Sequence, residues 1–162
     1  MISNDLTRLI KSTKIKTIMI SPVHVVGDRD NLSKAQKIFS DRRINHIPVV
    51  NDEGQLVGII SHKYLYKTLS PRKFMGNELE GSADMLMEGD SYYFKESLDR
   101  YILKNVMNKK PFFLGPENTV ADVIKAMAGK RLGCVTIVDH SQKVIGVISD
   151  QEIFNFLAQY IV

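Results

Sequence analysis

The sequence has one cysteine, Cys134, and no tryptophan among its 162 residues. A single cysteine cannot form a disulfide within the chain, which is typical of a reducing compartment. No apolar run approaches the roughly 20 residues that a helix needs to cross a bilayer. The opening stretch, MISNDLTRLIKSTKIK, lacks the apolar core of a signal peptide. We therefore expect a cytoplasmic protein with no segment inserted in a membrane.

A recognisable catalytic arrangement is also missing from the sequence. Cys134 has no histidine and aspartate partners at a known spacing, and neither a P-loop nor a Rossmann fingerprint occurs. The four histidines are scattered and give little support to a metal site. The net charge of +4 is compatible with ordinary solubility or with an anionic ligand. We expect neither an enzyme nor a resident metal.

The strongest feature that is present is an internal repeat. The stretch INHIPVVNDEGQLVGIIS, residues 44–61, returns 88 positions later as LGCVTIVDHSQKVIGVIS, residues 132–149. The correspondence continues without a gap over residues 18–69 and 106–157. A unit of this size buries only about 60% of its unfolded surface and is marginally stable alone. We therefore expect the two copies to pack on each other.

Hydrophobic periodicity predicts the order β-α-β-β-α in each copy. Four polar residues are predicted to cap helices: Asn31, Ser61, Thr119 and Ser149. The final helix is predicted to turn Ile153, Phe154 and Leu157 inward, and another short helix is predicted from Phe94 to Leu103.

These elements divide the chain into four predicted parts. Residues 1–17 form a basic N-terminal helix or arm, whose apolar positions favour packing on the domain over binding a membrane or nucleic acid. Residues 18–69 are the first repeat and residues 106–162 the second. The linker over residues 70–105 carries seven acidic and five basic residues without a sustained period. Connections of this length are usually functional or disordered.

The two units, each with a hairpin that ends in Gly-apolar-Ile-Ser and runs into a helix, resemble CBS (cystathionine-β-synthase) domains. A tandem pair of these domains is called a Bateman module. The resemblance covers roughly residues 15–69 and 104–160, so we expect a free-standing module. It implies an α+β fold of two repeats packed about a pseudo-twofold axis. It also implies a regulatory, energy-sensing role, in which AMP, ADP, ATP or S-adenosylmethionine binds in a cleft between the repeats.

The resemblance further implies partners and ligand contacts. Family members commonly form homodimers, and a free-standing pair would regulate a separate enzyme or transporter, with no obligatory cofactor. Ser61 and Ser149 end the two motifs and are expected near ribose or phosphate. Three residues later, Tyr64 and Glu152 replace the family's ribose-binding aspartate. Glu152 retains a carboxylate, but Ser-x-x-Glu is also a capping box, so both roles stay open.

Other implied contacts flank the strands. Asn45 and His46 occupy the family's phosphate-donor positions, and the corresponding pair in the second repeat is Gly133 with Cys134. Alternatively, His46 is structural. Further candidates are two arginines that equally well end their helices, and apolar residues near the strand entries that equally well form core: Arg43, Arg131, Ile20, Val23, Ile47, Phe112 and Val135.

Three functional classes remain open at this point. The first is an adenosine-ligand sensor in which one cleft, pairing Glu152 with His46, dominates. The second is a ligand-independent dimeric scaffold with degenerate clefts. The third is nucleic-acid binding through the basic N-terminus, which would show steep salt dependence. We favour the sensor and expect no nucleic-acid partner. A homodimer is expected because four aromatic residues are predicted to stay partly uncovered: Phe39, Tyr66, Phe154 and Phe156.

Overall fold

The structure, a computed structural model, describes residues 4–68, 85–88, 91–94 and 98–160. It combines α-helices with two three-stranded sheets, one in each repeat. The predicted α+β class is therefore confirmed. Much of the predicted linker over residues 70–105, and the side chain of Tyr66, lie outside the described residues.

The elements follow the predicted order in both repeats. The helices are α1 (Asn4–Ser12), α2 (Leu32–Arg42), α3 (Lys63–Thr68), α4 (Leu103–Val106), α5 (Val120–Lys130) and α6 (Asp150–Ala158), with a short 3-10 helix over Ile15–Thr17. The strands are β1 (Val26–Gly27), β2 (His46–Val50), β3 (Leu56–Ser61), β4 (Met85–Glu88), β5 (Ser91–Phe94), β6 (Phe113–Leu114), β7 (Cys134–Val138) and β8 (Val144–Ser149).

The sheets have the orders β1-β2-β3 and β6-β7-β8. The first two strands of each sheet run parallel, and β7 pairs antiparallel with β8. Between the repeats, β4 and β5 pair antiparallel, which the sequence pattern did not predict. Phe94 ends β5, so the predicted helix does not begin there. Residues 95–97 lie outside the described residues, and Leu98 is helical.

Three of the four predicted helix caps are confirmed, at Asn31, Thr119 and Ser149. The helix α3 begins at Lys63, so Ser61 does not immediately precede it as a cap would. The Asn31 side chain accepts a hydrogen bond from the Lys34 backbone at the start of α2. Thr119 and Asp122 form a capping box on α5, in which the Thr119 backbone and hydroxyl each donate to the Asp122 carboxylate at 2.9 Å. These bonds hold the pKa of Asp122 below its usual value. The third cap, at Ser149, belongs to the candidate site described below.

The chain folds into two compact units that do not follow the order of the repeats. The second-repeat unit contains the described residues of Met1–Val23, Asp52–Leu56 and Pro111–Val162. The first-repeat unit contains those of His24–Asn51 and Val57–Lys110. The segment that precedes each repeat therefore packs with the other repeat.

Equivalent contacts hold both of these leading segments in place. In the second-repeat unit, isolated bridges join Lys14 to Thr119 and Ile20 to Val147. In the first-repeat unit, the corresponding bridges join Ile102 to Asn31 and Asn108 to Ile59, each position shifted by 88 residues. The bridges of the leading segments therefore repeat at the same 88-residue spacing as the helices and strands.

Both leading segments insert a methionine against a strand glycine. A Cβ atom on Gly58 would overlap the Met107 sulfur and lie 3.0 Å from the Asn108 carbonyl oxygen. A Cβ atom on Gly146 would lie 2.6 Å from the Met19 sulfur. Real Cβ atoms do not approach other atoms so closely, which explains the glycine at this place in each motif.

We expect Gly58→Ala to destabilise the protein by about 1–3 kcal/mol, because overpacking forces neighbouring groups out of position. Removing the Met107 side chain should relieve part of this clash. The double variant Gly58→Ala/Met107→Ala should therefore be less destabilised than the sum of the two single variants. Urea unfolding of the four proteins measures this coupling, and strictly additive losses would contradict the proposed contact.

The N-terminal helix α1 packs on the second-repeat unit, where Leu9 and Ile10 contact the hydrophobic core. The prediction that this helix packs on the domain is confirmed. Beyond it, the Lys16 ammonium contacts the Glu117 carboxylate at 2.6 Å. Such exposed pairs contribute little to stability, so the apolar face of α1 is the main anchor.

The prediction that aromatic side chains stay partly uncovered holds for Phe154 but is wrong for Phe39 and Phe156. In α6, Ile153 and Phe156 are buried, whereas Phe154, which was predicted to point inward, is 65% exposed. Phe39 is also buried. Phe39 and Phe156 are therefore core residues and provide no uncovered surface for dimer formation.

Candidate functional site

The end of β8 carries Ser149 and Glu152, the predicted hydroxyl and carboxylate of the second-repeat unit. The Ser149 backbone donates to Glu152 Oε2 at 2.8 Å, and the Ser149 hydroxyl donates to the same oxygen at 2.5 Å. The hydroxyl also accepts a hydrogen bond from the Gln151 backbone at 3.2 Å. The capping-box role of Glu152 is therefore confirmed. Because both bonds converge on Oε2, this cap fixes the orientation of the carboxylate.

The leading segment passes beside this strand. Ile20 and Val147 exchange backbone hydrogen bonds of 2.9 and 3.2 Å. Paired residues project from the same face of a sheet, and Ser149 follows Val147 by two residues. Ile20 and Ser149 therefore share one face of the second-repeat sheet, and Ile20 is 43% exposed there. Val23, further along the leading segment, is partly buried.

A row of paired residues crosses the same face. Val147 lies opposite Thr136 on β7, and Thr136 lies opposite Phe113 on β6. Thr136 is fully buried, and its hydroxyl has no hydrogen-bond partner within the described residues. Sequence reasoning missed this residue. The internal repeat could have drawn attention to Thr136, because the equivalent position in the first repeat holds Pro48, which has no hydroxyl group.

The predicted adenine contacts occupy different environments. The side chains of Ile47 and Val135 are fully buried in the cores of their units. Any contact of these two residues with a ligand would be through backbone groups. Phe112 packs on the core of the second-repeat unit, with the Lys130 ammonium 5.3 Å from its ring centre. The side chain of the neighbouring residue, Phe113, is exposed.

In the first-repeat unit, Ser61 ends β3, and the next backbone N–H, of His62, donates to the Asn45 carbonyl at 2.8 Å. Ser61 and Asn45 therefore lie close together, next to His46 at the start of β2. Asn45 is exposed and His46 is partly buried. Tyr64 occupies the position that Glu152 has in the second repeat, so this unit has no carboxylate there. The Tyr64 side chain packs against the hydrophobic core.

Both predicted arginines end their helices in the left-handed conformation. Arg43 has φ 51° after α2, and Arg131 has φ 55° after α5. Glycine is the residue that normally occupies this conformation, because a Cβ atom is unfavourable there. The helix-ending role of both arginines is confirmed. Their side chains remain exposed on the surface of their respective units.

The buried thiol of Cys134 lies opposite Ser149 in the sheet. Burial, reinforced by the nearby carboxylates of Glu152 and Asp150, raises the pKa of Cys134 to about 12. The thiol is therefore protonated at neutral pH, and a protonated thiol is a poor nucleophile.

Two other kinds of site were sought. Across residues 4–68, 85–88, 91–94 and 98–160, no group of three His, Cys, Asp or Glu side chains is close enough to hold a metal ion. Within the same ranges, no helix has both the length and the apolar character needed to cross a membrane.

Two α+β repeats, each with a strand hairpin that runs into a helix, define the chain as a tandem module. The sequence profile described as "CBS domain" matches residues 15–70 and 103–159. The chain therefore belongs to the CBS domain family, and it contains two copies of the domain. Pairs of these domains are typically regulatory.

Relatives with curated sequences are similar over most of this chain. The uncharacterized protein MJ1426 of Methanocaldococcus jannaschii is 28% identical over 155 residues, which cover 88% of this chain and 90% of that protein. A homoserine O-acetyltransferase of Methanohalobium evestigatum is 17% identical and covers 96% of this chain. This chain spans only 26% of that enzyme's length.

Solved structures show the same fold. The CBS domain pair of protein MJ0100, in complex with 5′-methylthioadenosine and S-adenosyl-L-methionine, has a TM-score of 0.69 and 20% identity. The alignment covers 91% of this chain and 98% of that one. CBSX2 in complex with AMP has a TM-score of 0.68 and 15% identity, with the same coverage of both chains.

Proposed function

We propose that this chain is a regulatory module that senses an adenosine-containing ligand, either an adenine nucleotide or S-adenosylmethionine. The observation that carries the proposal is the pairing of Ile20 with Val147. This pairing places an exposed apolar side chain on the same sheet face as Ser149, whose hydroxyl is bonded to the Glu152 carboxylate. An adenosine has an aromatic base with apolar faces and a ribose whose hydroxyls donate hydrogen bonds. An apolar surface beside an oriented carboxylate suits both parts.

We assign the base to the neighbourhood of Ile20 and Val23, and the ribose to Ser149 and Glu152. Asn45, His46 and Arg43, which all belong to the first-repeat unit, are proposed as donors to ligand oxygen atoms, because amide, imidazole and guanidinium groups all donate hydrogen bonds to oxygen. Ser61 and Arg131 are proposed as weaker contributors. The names of two solved relatives support adenosine as the common part of the ligand.

The test is a panel of AMP, ADP, ATP, S-adenosylmethionine and NAD, measured by thermal unfolding. A ligand present at 100 times its dissociation constant should stabilise the fold by about 2.7 kcal/mol. Calorimetry then gives the number of ligands per chain, for which we expect one dominant site because Tyr64 leaves the first-repeat unit without a carboxylate. Failure of all five compounds to stabilise the protein at millimolar concentration would contradict the proposal.

A ligand-independent homodimeric scaffold is the second candidate function. The observation that favours it is the pair of exposed aromatic side chains on and after α6, Phe154 at 65% and Tyr160 at 50% exposure. Light scattering separates the two functions. A dimer that forms equally with and without AMP, and that no panel compound stabilises, would favour the scaffold. Its partner would then be a separate enzyme or transporter.

A further inference from the structure

A cavity of about 410 Å³ lies beside the β7–β8 turn, and all of its lining residues belong to the second-repeat unit. Phe113, Pro116 and Val138 contribute apolar surface, and Asp139 and His140 contribute polar groups. Small-molecule sites typically have volumes of about 300–1,000 Å³ and combine an apolar surface with a few polar groups. The cavity has both properties.

The charge of the lining is opposite in sign to the charge of the chain. The chain has 22 lysine and arginine residues against 18 aspartate and glutamate residues. Among the described residues that line the cavity, none is lysine or arginine, and Asp139 carries the only carboxylate. A phosphate or carboxylate ligand would therefore meet a negative charge with no cation beside it in the lining, whereas a cationic ligand would be attracted.

Several hydrogen-bond donors of the lining are already used. The side-chain amide of Asn118 donates to the Asp122 carboxylate, and proline has no N–H group to offer at Pro116. Four backbone N–H groups donate to acceptors within their own loops: those of Gly115, Asn118, Asp139 and Gln142. A ligand that donates hydrogen bonds suits this lining better than one that accepts them.

The turn holds the Asp139 carboxylate in position. Its Oδ1 atom accepts backbone hydrogen bonds from Ser141 at 2.8 Å and from Lys143 at 3.0 Å. A carboxylate has two oxygens with about four acceptor sites in total, so Oδ2 retains its capacity to accept. Asp139 is therefore a fixed anionic acceptor in the cavity wall.

The first repeat provides an internal comparison. At the positions of Phe113 and Asp139 it has Val25 and Asn51, yet its strands have the same order. The fold therefore requires neither the ring nor the carboxylate. Phe113 is 42% exposed, so its ring presents a face beyond the core. An aromatic ring attracts a cation over its face, and a carboxylate binds a cation through charge-assisted hydrogen bonds.

We propose that this cavity binds a small organic cation, an amidine, guanidine or amine with an apolar body. The cationic group donates to the Asp139 carboxylate, and the apolar body packs on the Phe113 ring. This site is distinct from the proposed adenosine site, because Ser149 lies at the other end of β8. Five residue steps of about 3.3 Å each place the two ends of that strand about 17 Å apart.

The test uses the full chain with benzamidine as the probe and benzamide as its uncharged counterpart of the same shape. Benzamidine should shift the NMR signals of the Gly115 and Gln142 backbone amides. Benzamide should bind about tenfold or more weakly, because it lacks the charge that strengthens the bonds to Asp139. Phe113→Val, which introduces the residue of the first repeat, should weaken binding of both compounds.

Asp139→Asn separates the charge from the structure of the turn. Asparagine is the residue of the first repeat, and its side-chain oxygen still accepts the two backbone bonds of the turn. This variant should bind benzamidine about tenfold or more weakly and should lose the preference for benzamidine over benzamide. Asp150→Asn removes an exposed carboxylate of the same unit outside the cavity lining and should leave the affinity unchanged.

Three outcomes would overturn this site. They are no shift at the two amides with millimolar benzamidine, equal binding of benzamide, and an equal loss of affinity in Asp139→Asn and Asp150→Asn. The result does not depend on the proposed function, because neither probe belongs to the adenosine panel. Failure of every panel compound to stabilise the protein would leave the benzamidine shifts in place.

Discussion

Replacing Glu152 by alanine is expected to weaken binding of the adenosine ligand by about 10- to 100-fold. A hydrogen bond to a charged group contributes roughly 1.5–3 kcal/mol, and each 1.4 kcal/mol changes affinity tenfold. The same substitution removes the capping box at the start of α6. Loss of such a cap costs about 0.5–2 kcal/mol of stability. Alanine therefore changes affinity and stability together, and the two effects need to be separated.

Glu152→Gln separates the two roles. Glutamine at this position of a capping box still accepts a hydrogen bond from the N-cap backbone, so stability should stay close to that of the unsubstituted protein. The charge is lost, and binding to the ribose hydroxyls should weaken. Calorimetry and urea unfolding of this variant report affinity and stability independently. A purely structural Glu152 would leave affinity unchanged in the glutamine variant.

The capping box on α5 supplies the matched control. Asp122 accepts bonds from the Thr119 backbone and hydroxyl, as Glu152 does from those of Ser149. Asp122 is not among the proposed site residues. Asp122→Ala should therefore cost stability of the same order with no change in ligand affinity. Equal losses of affinity in Asp122→Ala and Glu152→Ala would mean that both act through stability alone, which would contradict the ribose assignment.

The parts of this structure that sequence reasoning predicted are those determined by short-range interactions. The caps at Asn31, Thr119 and Ser149 depend on a polar side chain and a backbone N–H two or three residues away. The hairpins depend on an apolar run on each side of a turn. The internal repeat strengthened both, because each pattern occurs twice in 162 residues.

The predictions that failed depend on less local information. The residues of β4 and β5, MLME and SYYF, do not alternate between apolar and polar residues, so the period of a strand is absent. In α6, Ile153 was correctly predicted to be buried. Phe154 and Phe156 are both aromatic, and their residue type alone does not show which ring is buried and which is exposed. Spacing of three residues from Ile153 places Phe156 inside.

For the candidate site as well, sequence reasoning predicted the local features and missed those that depend on distant segments. The repeat motif pointed to Ser149 and Glu152, and the structure shows their mutual bonds. The repeat motif did not reveal that Ile20 pairs with Val147, 127 positions away in the sequence. Nor did it identify Thr136, whose significance rests on burial and on a missing hydrogen-bond partner. Such properties arise from packing between distant segments, which a local pattern does not record.

The largest stability effect is expected at the leading segment of the first repeat. Ile15 is fully buried in the core of the second-repeat unit, and its counterpart Leu103 is fully buried in the core of the first-repeat unit. Truncating a fully buried isoleucine or leucine to alanine costs about 2–5 kcal/mol. Ile15→Ala should therefore lower the free energy of unfolding by this amount, and Ile15→Val by about 0.5–1.5 kcal/mol.

Native-state hydrogen exchange shows where the stability is lost, because protection reports local opening. Ile15→Ala should increase exchange mainly in β7 of the second repeat, although Ile15 precedes the first repeat in the sequence. Leu103→Ala should increase exchange mainly in β2. If Ile15→Ala instead exposed β2 first, the leading segment would belong to its own repeat. The expected crossed pattern follows from the backbone bonds of this segment, in which Ile15 donates to the Asn118 carbonyl at 2.9 Å and Val120 donates to the Thr13 carbonyl at 3.0 Å.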